Sequence, residues 1–105
     1  MSDALDKLFA TIASRQGGDP GQSYTARLLA AGVETCAKKF GEEATETVIA
    51  AIQRDKVELA KESADVLYHL LVLWAASHIT PEDVYAVLKS REAQSGLEEK
   101  ASRKS

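Results

Sequence analysis

A single cysteine, Cys36, among 105 residues excludes an internal disulfide and predicts a reducing, cytoplasmic setting. An excess of positive charge is also missing. Thirteen Lys and Arg against sixteen Asp and Glu leave a net charge of -3, which argues against a protein that works on duplex nucleic acid. The longest apolar run, Leu70 to Ala76, is far short of the roughly 20 residues that cross a bilayer. The N-terminal MSDALDKLFATIASR has early acids and no apolar core of signal-peptide length, so no secretion signal is expected. No segment reads as a strand, and there is neither an internal repeat nor a low-complexity tract. What remains, 45% hydrophobic and 28% charged residues, is the make-up of one globular domain.

Helical periodicity fills the chain. Leu5, Leu8, Phe9, Ile12 and Ala13 predict an amphipathic first helix, closed by the turn formers of QGGDPG at 16–21. Ser23 is placed to cap a short helix through Arg27, Leu28 and Leu29 that stops near Gly32. A third helix is predicted from about Val33 to Ile52, with Gly41 as a kink or thin spot. Asp55, with Glu58 three residues on, resembles a capping box and opens a fourth helix reaching about Ser77. Thr80-Pro81-Glu82-Asp83 supplies a cap, a first-position proline and first-turn acids for a fifth, expected to end near Gly96. The prediction is an all-α domain over 1–96, about five helices built around a long antiparallel hairpin, with a mobile tail at 97–105. Leu70, Leu71, Val72, Leu73 and Trp74 make the fourth helix apolar on every side near its end. Five short helices cannot cover such a stretch, so a homodimer or larger oligomer is expected.

Acidic residues are placed less conventionally. In KKFGEEATE, residues 38–46, Glu42 and Glu46 stand four apart with no cation between, a spacing at which like charges repel by roughly a few tenths of a kcal/mol. Glu43 and Glu46 are three apart, and so are Glu62 and Asp65 on the fourth helix. If the hairpin folds about residue 54, Glu46 and Glu62 lie eight residues on either side and Glu43 and Asp65 eleven. At about 1.5 Å per residue both couples stand level, and axes roughly 8–10 Å apart let four carboxylates converge. Left alone, such a cluster must keep some acids protonated. A divalent cation relieves it. All-oxygen ligands suit Mg²⁺ or Mn²⁺ rather than zinc, and Mg²⁺ commonly shares its shell with substrate phosphates. The competing account makes the acids salt-bridge partners of Lys38, Lys39, Arg54 and Lys61.

GEEATE followed by ESAD resembles the E-E-x-x-E … E-x-x-D signature of the all-α nucleotide pyrophosphohydrolases, the superfamily of MazG and the all-α dUTPases. SYTARLL (23–29), KKFGEEATE and ESADVLYHLLVL (62–73), in that order, are more closely similar to the phosphoribosyl-ATP pyrophosphohydrolases of histidine biosynthesis, over roughly Leu5 to Arg91. The resemblance implies a MazG-like bundle that hydrolyses phosphoribosyl-ATP to phosphoribosyl-AMP and pyrophosphate, with Mg²⁺ as cofactor and a homodimer as its assembly. It makes Glu43, Glu46, Glu62 and Asp65 metal ligands, and Glu42 an additional ligand or the group that orients the attacking water. Some members are fused to the cyclohydrolase of the next step. This chain resembles the stand-alone form, with a functional link to a separate cyclohydrolase. Cys36 stands where an aliphatic residue is expected.

Around the acids, Lys38 and Lys39 are placed to reach phosphates, with a Lys39–Glu43 ion pair as the alternative. Ser23, Tyr24 and Thr25 offer a helix-start phosphate site or simple capping, and Arg27 a contact to the phosphoribosyl end or a surface charge. His69, four after Asp65, either hydrogen-bonds that carboxylate or is buried between helices. Tyr68 and Trp74 are expected in the core or a dimer contact, and His78 at a helix end without chemistry. Two rival functions share the pattern: a housecleaning nucleoside-triphosphate pyrophosphohydrolase, and a non-enzymatic helical dimerisation module. Neither nucleic acid nor membrane is an expected partner.

Overall fold

Caps and turn residues set where each helix begins and ends. The computed structural model describes residues 3–92, and these form α1 (Asp3–Ser14), α2 (Tyr24–Ala31), α3 (Val33–Ile52), α4 (Lys56–Ala76) and α5 (Pro81–Ser90). No strand occurs among the described residues. Ser23 Oγ accepts the Ala26 N–H at 3.1 Å and Asp55 Oδ1 the Glu58 N–H at 3.0 Å. Thr80 and Asp83 bond reciprocally, at 3.2 and 2.8 Å, as a full capping box. Such caps contribute about 1 kcal/mol each.

α3 runs through Gly41 as one helix of 20 residues. It ends on Arg54, a non-glycine residue at φ 60°, which lets the Asp55 N–H reach back to the Ala50 carbonyl at 3.2 Å. His78, at φ 62°, closes α4 the same way, with the Ile79 N–H on the Trp74 carbonyl at 3.0 Å. Gly32, at φ 100°, ends α2 and begins α3 in one residue, a conformation a side chain would strain.

α5 stops at Ser90, earlier than expected. Bonds from Arg91 N–H to Leu88 O and from Glu92 N–H to Lys89 O tighten its last turn. Gly96 and the tail at 97–105 lie outside the described residues.

The core occupies the half of the α3–α4 hairpin away from its turn, where α1 and α2 pack on α4. Ile12, Leu28, Leu29, Cys36, Leu71, Val72 and Ala75 are buried there. Cys36 fits this packing: its thiol donates to the Leu28 carbonyl at 3.2 Å, and burial pushes its pKa up. Leu71 and Val72 are fully covered within one chain, whereas Leu70, Leu73 and Trp74 are partly covered. The large uncovered apolar surface therefore lies elsewhere than expected. It sits toward the turn, where Ile52 is 74% and Val57 68% exposed and Val48 and Ile49 are also bare. α5 is tied back to α1 by the Tyr85 hydroxyl, which donates to Asp6 at 2.9 Å. No described helix is long and apolar enough to cross a membrane.

Candidate active site

α3 and α4 are joined by a short turn with Arg54 in its left-handed position, and acids from both helices meet. Glu43, Glu62 and Asp65 each bring a carboxylate oxygen within 4.8 Å of the others. Glu43 comes from α3 and the other two from α4. Glu46 stands outside this tight group on the exposed flank of α3, yet its charge still raises the pKa of both Glu43 and Glu62.

The electrostatics follow from three converging carboxylates, those of Glu43 and Glu62 half-buried and that of Asp65 exposed. Partial desolvation, then the Glu46 charge, then the hydrogen bond with Asp65 push Glu62 from 4.5 up to about 7. Desolvation, Glu46, Asp65 and Glu42 raise Glu43 as well, against a smaller opposing pull from Lys39. Lys39 pairs with Glu42, three residues on, at 3.6 Å, rather than with Glu43. That pair is half exposed and contributes little to stability. Among the described residues the Glu43–Glu62–Asp65 group has no cationic side chain in ion-pair contact.

The remaining predicted residues divide by what already occupies them. The Ser23 hydroxyl caps α2, and the Thr25 hydroxyl is hydrogen-bonded to that of Tyr68. Tyr24 is about half exposed and meets the His69 ring edge-on at 6.4 Å. Arg27 Nε donates to the Pro20 carbonyl at 3.4 Å, and Lys38 is exposed on α3. His69 is buried, 6% exposed, with Tyr68 edge-on at 5.0 Å. Its Nδ1 has no partner among the described residues, and burial lowers its pKa despite the nearby Asp65 charge. No hydrogen bond joins it to Asp65 through that atom.

Two features escaped the motif. Thr47 Oγ1 lies 2.8 Å from the Glu43 carbonyl and 3.2 Å from the Glu62 carbonyl, touching both helices at the acidic residues themselves. Its place four residues after Glu43 was the available signal. The second is a cleft of about 190 Å³ that extends from the acids toward the turn, lined by Glu46, Ile49, Ala50, Gln53, Glu58 and Glu62. A larger cavity, about 410 Å³, lies between the end of α1 and the start of α2 and includes none of the clustered acids.

The arrangement is thus a converged, uncompensated carboxylate group beside a small open cleft, on a hairpin of fixed register. A family model described as phosphoribosyl-ATP pyrophosphohydrolase matches residues 5–92. The chain belongs to the phosphoribosyl-ATP pyrophosphohydrolase family. It is 62% identical over 99 residues to the phosphoribosyl-ATP pyrophosphatase of Parvibaculum lavamentivorans, covering 94% of this chain and 91% of that one. The enzymes of the same name from Cereibacter sphaeroides strain ATCC 17029 and Paracoccus denitrificans are each 56% identical. These matches cover 94% and 95% of this chain, and 96% and 93% of theirs.

Proposed function

We propose that this protein hydrolyses phosphoribosyl-ATP to phosphoribosyl-AMP and pyrophosphate in histidine biosynthesis. The observation that carries this is the convergence of Glu43, Glu62 and Asp65 from two helices in a chain matched almost end to end by the family. A non-enzymatic module with surface salt bridges is disfavoured, because Glu43, Glu62 and Asp65 converge on one another with no ion-pair partner among the described residues.

The donor set fits a hard divalent cation, Mg²⁺ or Mn²⁺: every candidate ligand is a carboxylate oxygen, and partial desolvation together with the neighbouring carboxylates raises Glu62. Glu43, Glu62 and Asp65 would hold it, with Glu46 joining by a side-chain rotation. When bound, the ion supplies charge neutralisation on phosphoryl oxygens and a more acidic water. Glu42, outside the group and paired with Lys39, is assigned the orientation of the attacking water rather than ligation. Lys38 and Lys39, about a turn before the acids, attract the phosphate chain, and Tyr24 at the α2 start, beside the His69 ring, is assigned to the substrate as well. Ser23 and Thr25 act by building that start, since their hydroxyls are already engaged. Arg27 remains available to the phosphoribosyl end through the nitrogens its Pro20 bond leaves free.

The bare apolar surface at Val48, Ile49, Ile52 and Val57 supports a homodimer. The protein is assigned to the cytoplasm, and its product passes to a separate cyclohydrolase.

The test offers purified protein and Mg²⁺ phosphoribosyl-ATP, ATP, dUTP and dCTP in turn. Pyrophosphate release from phosphoribosyl-ATP alone is expected. Preferential release from dUTP or dCTP would transfer the protein to a housecleaning role, and none from any substrate by folded protein would refute an enzymatic one. Glu62→Gln should abolish turnover with helix content and assembly unchanged.

A further inference from the structure

Two threonines of α3 make the same bond within their helix, and the difference between them is informative. Thr45 Oγ1 donates to the Gly41 carbonyl at 3.0 Å on the exposed side and makes no other hydrogen bond among the described residues. Thr47 Oγ1 donates to the Glu43 carbonyl at 2.8 Å, and the same oxygen lies 3.2 Å from the Glu62 carbonyl across the hairpin. The back-bond alone is what a helical threonine ordinarily does. The reach to α4 is not, because it crosses fifteen residues of sequence to a second helix. A hydroxyl has one proton, so the two carbonyls share it or alternate for it.

Both carbonyls belong to residues whose carboxylates meet in the acidic group. We propose that Thr47 is a positioning residue for the cation site, fixing Glu43 and Glu62 against each other through their backbones. This rests on the metal-dependent activity proposed above. The reasoning is geometric. A slip of one residue between the helices moves a ligand by about 1.5 Å along the axis and turns it by about 100°. A carboxylate cluster whose members repel one another has no attraction of its own to resist that slip. The main core cluster lies at the far end of the hairpin, and the buried Ala50 and the turn at Arg54 hold the near end. Thr47 is the described side chain that hydrogen-bonds across the hairpin at the level of the acids.

The experiment is Mn²⁺ binding to the full chain without substrate, followed by electron paramagnetic resonance, alongside Mg²⁺-dependent turnover of phosphoribosyl-ATP. Thr47→Val keeps the shape and removes the hydroxyl. It should weaken Mn²⁺ binding about tenfold or more, the scale seen when groups that orient metal ligands are lost. The Mg²⁺ concentration for half-maximal turnover should rise in parallel. Thr47→Ser should restore both, and Thr45→Val, which loses only a back-bond, should change neither. Thr47→Ala removes the hydroxyl without the branched side chain and serves if the valine variant fails to fold. Wild-type Mn²⁺ affinity in a folded Thr47→Val or Thr47→Ala protein would overturn the proposal. So would equal losses in the Thr45 and Thr47 variants. If the wild type binds Mn²⁺ but releases no pyrophosphate from phosphoribosyl-ATP, the assigned reaction fails while the positioning role is still decided by the binding arm.

Discussion

The raised Glu62 carboxyl makes cation binding pH-dependent in a range where an ordinary glutamate is silent. A ligand must be deprotonated to bind, so every cation that enters displaces whatever proton the cluster holds. With a pKa of about 7, Glu62 is about one-tenth protonated at about pH 8 and about nine-tenths at about pH 6. Apparent affinity for Mn²⁺ or Mg²⁺ should therefore fall about tenfold over that interval, and proton release near neutrality should be about half a proton per ion. Glu43, raised in the same direction, makes the fall steeper rather than shallower. The proton belongs to the coupled group, so the curve reports the cluster and not one residue. Glutamates at the ordinary 4.5 would leave affinity almost flat there. The assay is calorimetric titration in buffers of different ionisation enthalpy, which counts protons and affinity together. The metal-free protein gives the complementary sign. A carboxyl whose pKa is higher folded than unfolded favours the protonated folded state, so its stabilising effect is full below about pH 4.5 and is lost as pH rises through about 7. Added cation should restore that stability at alkaline pH. Flat affinity between about pH 8 and about pH 6, with no proton released, would refute the electrostatic picture of the site.

Two further outcomes test the fold. Leu71, 1% exposed at the centre of the core, should cost about 2–5 kcal/mol as Leu71→Ala, read by urea unfolding at fixed protein concentration; a loss under about 1 kcal/mol would mean the core is assigned to the wrong helices. Arg54→Gly should stabilise by up to about 1 kcal/mol. It relieves a left-handed residue that costs about 1–2 kcal/mol, offset in part by the greater freedom of glycine in the unfolded chain, and turnover should be unaffected. Destabilisation there would show that the arginine side chain, not its backbone, holds the turn.

What was legible in the sequence is what period and spacing encode. The caps at Ser23, Asp55 and Thr80 form because each short polar side chain precedes an apolar helical run. Counting outward from residue 54 set the expected hairpin register; Arg54 is the left-handed residue of the turn, and three of the four acids meet. Spacing cannot say whether Lys39 chooses Glu42 or Glu43, since residues three and four away are both within reach. Nor could apolar content alone locate the uncovered surface. α1 and α2 cover the richest stretch, Leu71 and Val72, and leave Ile52 and Val57 bare beside the turn.

The least legible point was the difference between Glu43 and Glu46, which share a motif and part company in space. At about 100° per residue, Cys36, Glu43 and Ala50 fall within about 20° of one direction on α3. Cys36 and Ala50 are buried and Glu43 is half-buried, so this direction faces the packed side of the helix. Glu46 points about 60° to one side of it and Thr47 about 40° to the other. Glu46 is exposed, and Thr47 is half-buried against α4. The motif fixes residue types and spacing, but which acid meets its partner depends on the helix's rotation about its own axis. That rotation is set by residues outside the motif, among them a cysteine where an aliphatic side chain was expected. The Cys36 thiol donates to the Leu28 carbonyl of α2, and the same rotation that buries Cys36 turns Glu43 toward Glu62 and Asp65.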